Sequence, residues 1–130
     1  MSDTLKKRFK KTICFDIDGT ICQQTKGDYE NATPFEAARK FVNQLYDEGF
    51  EIVFFTGRFM GRHEGNVEKV YAQGYELTLR QLNEWGFKFH KLYLGKPAHH
   101  ILVDDKALFF KPDWEKIYQE IKKKEDQDIY

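Results

Sequence analysis

An α/β fold follows from three features of the chain, and its expected form is a Rossmann-like three-layer α/β/α sandwich with a mostly parallel sheet and no cap domain. Short apolar runs ending in Asp, Thr or Gly alternate with amphipathic stretches of helical length. Parallel strands need crossover connections, which are right-handed almost without exception, so this alternation implies a sheet covered by helices. The residues able to do chemistry, Asp16, Asp18, Thr56, Lys96, Asp104 and Asp105, all follow predicted strand ends, where sheets of this kind bind ligands.

Thr12 to Asp18 is an apolar run closed by Gly19-Thr20, suited to a buried strand that delivers carboxylates at its tip. Thr33-Pro34-Phe35-Glu36 predicts a helix start, with Thr33 as N-cap, Pro34 at the first helical position and Glu36 completing a capping box. Phe35, Ala38, Val42 and Leu45 then recur at helical spacing, and Gly49 ends the helix. Phe50 to Phe55 is β-branched and aromatic, a second strand closed by Thr56-Gly57-Arg58. After a loop over Gly61 to Gly65, the stripe Val67, Val70, Tyr71, Thr78, Leu82 and Trp85 predicts a helix over 66–85, stopped by Gly86. Gly74 weakens that helix by about 1 kcal/mol relative to Ala and is a point where it could divide. His90 to Leu94 reads as a third strand and Ile101 to Val103 as a fourth. Pro112 introduces a last helix from about Asp113, with Trp114, Ile117, Tyr118 and Ile121 as its apolar face.

The 130 residues suit a single domain, 1–130, with its core from about residue 11 to residue 121. With 41% hydrophobic, 16% aromatic and 32% charged residues, the chain can bury a core, which excludes wholesale disorder. Lys plus Arg and Asp plus Glu both number 21, so no global field favours nucleic acid or an anionic membrane. The basic cluster Lys6 to Lys11 and the mixed tail Lys122 to Asp128 read as solvated ends. No apolar stretch follows the charged start, and no run approaches a membrane span, so a cytoplasmic location is expected. Cys14 and Cys22 form no CxxC and have no nearby His pair, which supports neither a disulfide framework nor a zinc site. The expectation is a buried Cys14 and an incidental Cys22.

Asp16 and Asp18, two apart on a strand, point the same way. Adding Asp104 or Asp105 gathers at least three carboxylates, whose repulsion destabilises the fold unless a cation is bound, and oxygen-only ligands favour a hard ion such as Mg²⁺. Lys96, the Thr56 hydroxyl and the backbone N–H groups of Gly57 and Arg58 complete a set suited to a phosphoryl group. One carboxylate can then attack phosphorus, as in enzymes that pass through an aspartyl phosphate.

Asp16-Ile17-Asp18-Gly19-Thr20, Phe54-Phe55-Thr56-Gly57-Arg58, Gly95-Lys96-Pro97 and Val103-Asp104-Asp105-Lys106-Ala107, in that order, resemble the four motifs of the haloacid dehalogenase-like phosphohydrolases. The resemblance runs from about Lys11 to Pro112. Gly27-Asp28-Tyr29-Glu30-Asn31-Ala32, Glu64-Gly65-Asn66-Val67 and the Gly-Lys-Pro to Asp-Asp-Lys-Ala ending further resemble a small subgroup of capsule or polysaccharide biosynthesis phosphatases.

The resemblance implies that Asp16 is the nucleophile and that Asp18 protonates the leaving oxygen, then activates water against the aspartyl phosphate. It implies Mg²⁺ held by the Asp16 carboxylate, the Asp18 carbonyl and one acid of the final pair, Asp105 as direct ligand with Asp104 behind it. Thr56 would bind the phosphoryl oxygens and Lys96 would neutralise nucleophile and phosphate. An acid at position 18 argues for ester hydrolysis. The short stretches Asp18 to Pro34 and Thr56 to Lys96 leave no room for a cap, so an open site is expected, serving a bulky substrate or a small one covered by a neighbouring copy of the chain. Specificity would then lie in a flap around Gln23 to Tyr29 and in the loop Arg58 to Asn66, where Arg58, Arg62 and His63 are the candidates to bind a second group of the substrate.

The substrate implied is a phosphorylated sugar or related precursor of a surface polysaccharide. A nucleotide or nucleic-acid terminal phosphate is the alternative, favoured by the open site and disfavoured by zero net charge. A phosphoacceptor switch domain uses similar groups, but with its acidic pair first and its Lys last, the reverse of the order here. A binding protein on the same fold would be expected to have lost a catalytic group, and none is missing.

Overall fold

The computed structural model describes residues 9–126. It contains β1 (Thr12–Phe15), a 3₁₀ turn at Tyr29–Asn31, α1 (Glu36–Asp47), β2 (Glu51–Thr56), α2 (Val67–Glu84), β3 (Lys91–Leu94) and α3 (Trp114–Lys124). The ends of the two charged segments, residues 6–8 and 127–128, lie outside the described residues.

The sheet is open and all parallel, in the order β1-β2-β3, with Phe15 beside Phe54 and Thr56 beside Leu94. All three strands run the same way, so Asp16, Gly57 and Gly95 leave the sheet at one end, with β1 stopping two residues short of the level at which β2 and β3 end. The class is the one expected, Rossmann-like α/β without a cap. The connection from β1 to α1 holds only the 3₁₀ turn.

Strand alternation decides which side chains are buried. Phe15, Ile52, Phe54, Leu92 and Leu94 face inward and share one apolar cluster with Ala38, Val42 and Leu45 of α1, Val70 and Leu82 of α2, and Trp114 and Ile121 of α3. Thr12, Cys14, Val53, Phe55, Lys91 and Tyr93 alternate to the other face, where they line a shallow hollow. Of the three layers expected, the described residues supply the sheet and one helical layer.

Both glycine stops act as expected. At Gly49 (φ 102°) the Gly49 amide bonds to Tyr46 and the Phe50 amide to Leu45, closing α1, and Gly86 (φ 81°) closes α2 in the same way. The start of α1 differs from expectation. Thr33 does not cap it, and the helix begins at Glu36 after an extended Phe35. Backbone pairing prevails over the cap, because the Gln23 amide bonds to the Thr33 carbonyl and the Phe35 amide to the Ile21 carbonyl, holding Pro34 opposite Cys22.

Helix α2 is unbroken at Gly74. A Cβ there would sit 2.4 Å from the Phe59 ring and 3.2 Å from Leu94, so the missing side chain is what lets the loop after β2 lie on the helix. At the start of α2 the Asn66 side chain accepts from the Lys69 amide, and at the start of α3 Asp113 accepts from Lys116.

Three expectations are corrected. The fourth strand does not form, since Ile101 to Val103 has no strand partner and lies exposed. The two cysteines exchange roles, Cys14 being exposed and Cys22 buried. Cys14 falls on the outward phase of β1, whereas Cys22 folds back beneath the strand tip with its thiol toward the Ile17 carbonyl.

Helix α3 is clamped to α1 through Glu48, which accepts from Lys122 Nζ at 2.8 Å and from the Tyr118 hydroxyl at 2.5 Å. Burial pushes the Glu48 carboxyl up, but the hydrogen bonds from Lys122, Tyr118 and Gln44 outweigh it and hold it below its ordinary 4.5. A carboxylate lowered by folding adds stability that is present above its ordinary value and lost as pH falls through the folded one. Glu48→Gln should therefore lower the melting temperature at neutral pH by the worth of a partly exposed pair, about 1 kcal/mol or less. The gap to the parent should close as pH falls below 4.5 in paired melting curves.

Gly74→Ala gives a second check. Helix propensity alone would make it stabilising by about 1 kcal/mol. The clash with Phe59 should instead make it destabilising by about 1–3 kcal/mol, read as a lower urea midpoint.

Candidate functional site

The first functional group leaves β1 directly. Asp16 follows Phe15, its side chain is 37% exposed, and Lys96 Nζ lies 3.5 Å from its Oδ1. Lys96 is placed by the backbone, because its amide bonds to the Thr56 carbonyl and so extends the pairing of β2 and β3 past Gly95. Gly57 lies against the same turn, where a Cβ would come within 3.1 Å of the Lys96 carbonyl. Thr56 is buried, and its hydroxyl oxygen accepts from the Arg58 amide at 3.1 Å. Its own O–H remains available to donate.

Asp18 is set differently. The chain turns at Ile17, where the Thr20 and Ile21 amides bond back to its carbonyl, and Asp18 pairs with Cys22 in an isolated bridge. Its carboxylate is gripped by Arg58 through two bonds, Nε to Oδ2 at 2.8 Å and Nη2 to Oδ1 at 2.9 Å. Arg58 is only 1% exposed. Its Nη1 donates to Thr78 Oγ1 and to Gln81 Oε1 on α2, and its plane lies 4.9 Å from the centre of the Tyr29 ring. Gln81 then donates to the Tyr29 carbonyl at 2.6 Å, and the Phe59 amide donates to the Tyr29 hydroxyl.

Arg58 is therefore not a substrate group, as the sequence suggested, but the buried anchor that orients Asp18. Its position after the strand tip turns its side chain inward under the flap. Sequence reasoning missed this network. Its one legible trace is the pair Thr78 and Gln81 on the buried side of α2, polar groups that need an internal partner.

Arg62 and His63 are also committed to the protein. Arg62 donates to the Gly27 carbonyl and stacks over Phe59, and His63 Nε2 is within hydrogen-bond reach of Gln73 Oε1. They hold the loop to the flap and to α2. Between these elements lies a cleft of about 460 Å³, lined by Asp28, Glu30, Arg62, Gln73, Glu76 and Arg80 among others.

The final acidic pair is not brought to Asp16 and Asp18. Asp104 accepts from the Lys106 amide within its own turn, and both Asp104 and Asp105 are exposed. Burial pushes the Cys14 thiol up, and the Asp16 and Asp104 carboxylates add to that against the pull of Lys96. Among the described residues no group of three or more His, Cys, Asp or Glu could hold a metal ion. The Mg²⁺ expected from the sequence does not fit this arrangement, because the segment that carries Asp104 and Asp105 is unpaired.

Burial pushes the thiol of Cys22 up to about 12, with Asp18 adding to the effect, so it is inert at neutral pH.

No family model matches the chain, and no curated protein matches it. Among solved structures, a crystal structure of a Vibrio cholerae target is similar at 25% identity and a TM-score of 0.71, over 85% of this chain and 98% of that one. It shares the fold. A chain of the Pnkp1/Rnl/Hen1 RNA repair complex aligns at 15% identity and a TM-score of 0.48, over 100% of this chain and 38% of that one. Among the described residues no helix is long and apolar enough to cross a membrane.

The Arg58 network predicts a large cost for breaking it. Removing one partner of a buried ion pair leaves the other charged and unpaired, so Arg58→Met should cost about 3–5 kcal/mol. Arg58→Lys should recover only part of this, since an ammonium cannot make the two-point contact with Asp18. Denaturant titrations of both variants measure the difference.

Proposed function

We propose that this protein hydrolyses a phosphate monoester through a covalent intermediate on Asp16, as its resemblance to the haloacid dehalogenase-like phosphohydrolases implies. The observation that carries the reading is the Asp16–Lys96 pair at the C-terminal end of the parallel sheet, beside an Asp18 whose carboxylate is held in one orientation. A nucleophile needs an accessible oxygen, and Asp16 has the exposure for it.

In this reading an Asp16 oxygen forms a bond to phosphorus while the ester P–O bond breaks. The leaving oxygen takes a proton from Asp18. Water then loses a proton to Asp18 and attacks phosphorus, releasing phosphate and restoring both acids. Arg58 donates to both Asp18 oxygens and the Cys22 thiol donates a second, longer bond to Oδ1, which leaves acceptor capacity on Oδ2 for the transferred proton. In this reading Lys96 offsets charge on the nucleophile and the phosphoryl group, and the Thr56 hydroxyl and Gly57 amide donate to phosphoryl oxygens. The Mg²⁺ implied by the family resemblance would involve Asp105, and so depends on a rearrangement of its segment.

The substrate in this reading is a phosphorylated sugar of surface polysaccharide synthesis, a choice that rests on the subgroup resemblance. The cleft beside the flap supports a polar group beyond the phosphate, since its lining is rich in planar hydrogen-bonding side chains. A nucleotide or a phosphorylated nucleic-acid end is the competing class, and a second copy of the chain covering the open site is part of the same proposal.

The test is phosphate release, with Mg²⁺ supplied, across sugar phosphates, nucleotides and 3′- or 5′-phosphorylated oligonucleotides. The parent should release phosphate from sugar phosphates, and Asp16→Asn should lose at least about a thousandfold in rate with an unchanged melting curve. Equal release by Asp16→Asn overturns the mechanism, and release from oligonucleotides alone overturns the substrate class.

A further inference from the structure

The topology leaves one face of the sheet without a helix. Right-handed crossovers carry β1 to β2 and β2 to β3 in the same direction, so α1 and α2 lie on one face, and the Glu48 clamp adds α3 beside α1. All three helices put their buried side chains into the inner cluster. The other face presents Cys14, Val53, Phe55 and Tyr93, which line a hollow of about 490 Å³. Cys14 is exposed and Tyr93 is 47% exposed. Parallel sheets are ordinarily buried on both faces, and an apolar face left in water marks a contact surface. Residues 1–8 and 127–130 are mostly polar or charged and supply no amphipathic stretch to cover it.

We propose that this bare face is the contact surface of a homodimer, in which a second copy of the chain packs sheet on sheet about a two-fold axis.

Charge selects that occupant. Of the residues lining the hollow, Glu51 on β2 and Lys91 on β3 are charged, one of each sign, and they pair at 3.4 Å. Lys91 is level with Val53, so it lies one strand over and two residues along from Glu51, about 8 Å between Cα atoms. An axis in the plane of the interface that bisects this line sets Glu51 of each copy over Lys91 of the other, and the four charges alternate. An isologous contact needs just such a surface, complementary to itself. With zero net charge, two copies approach without long-range repulsion.

The same construction fixes the packing. The line from Glu51 to Lys91 runs about 35° from the strands, so the strands of the two copies cross at about 70°, near the orthogonal class of sheet packing. The axis passes close to Val53 and Cys14, and each stands over its own counterpart at the usual spacing of stacked sheets, about 10 Å. Three strands of this length offer a face of about 14 Å by about 20 Å, small for a standard interface, so the dimer belongs to the weak class.

Cys14 is the probe, since Cys22 is buried. Sedimentation should give a monomer at about 1 μM and a dimer at about 200 μM, and Cys14 labelling by a maleimide should slow about fivefold over that range for a Kd of about 10 μM. Glu51→Lys puts four positive charges at the contact and Lys91→Glu four negative ones, so each variant alone should stay monomeric. An equimolar mixture of the two should dimerise and protect Cys14, a result that no change within a single chain can give. The double reversal, Glu51→Lys with Lys91→Glu, restores opposite signs within and between copies and should dimerise like the parent.

A parent that stays monomeric at the higher concentration overturns the proposal. A dimer whose Cys14 labels equally fast at both concentrations puts the contact on another face and overturns it too. So does a monomer with Cys14 protected throughout, which assigns the face to the chain's own 97–111 segment. A mixture that fails to dimerise while the parent does overturns the pairing of Glu51 with Lys91 across the axis. These assays read mass and thiol access and not turnover, so their result stands apart from the fate of the phosphatase reading.

Discussion

A guanidinium sealed from water must find acceptors for its donors inside the protein, and in this chain that demand falls on Arg58. It is met by Asp18 from the turn after β1 and by Thr78 and Gln81 from α2, with the Tyr29 ring of the flap beside it. Four segments distant in sequence are thus fixed to one another by a charge that is costly to leave unpaired. The flap's 3₁₀ turn buries no side chain of its own. It stays folded over the sheet end because Gln81 and the Phe59 amide hold Tyr29.

The two acids of the DxD pair consequently have different surroundings. Asp16 faces outward with Lys96 beside it, whereas Asp18 is 11% exposed and held at both oxygens. Two carboxylates separated by one residue would repel if they shared one environment. Here each has its own cation, and the division of labour follows from the turn at Ile17, which takes Asp18 out of the strand and under the flap. Gly74 contributes at a distance, for without its bare backbone Phe59 could not lie on α2 and the loop bearing Arg58 would be displaced.

Much of this arrangement is legible along the chain. The apolar runs located β1, β2 and β3, the glycines at 49 and 86 located two helix stops, and the tips of the parallel strands located Asp16, Thr56 and Lys96. The partners of Arg58 were not legible in that way. Thr78 and Gln81 share the buried side of α2, which calls for an internal polar partner, but nothing local identifies that partner as Arg58. Thr33 had the residue type and spacing of a cap, yet its carbonyl is used by Gln23. The burial of Cys14 and Cys22 follows from strand phase and the turn after β1, which their spacing does not reveal.

By itself, the sequence determined the elements and the end of the sheet at which chemistry collects, because periodicity and turn residues act over a few positions and need no distant partner. Only the tertiary structure decided which acid is exposed beside a lysine and which is gripped, which arginine is buried, and that Ile101 to Val103 forms no strand and leaves Asp104 and Asp105 exposed. These outcomes depend on charges and apolar surfaces that meet across 20 residues or more, where burial, repulsion and strand pairing compete. A local pattern states what each segment can do, and the balance of those energies in three dimensions selects what it does.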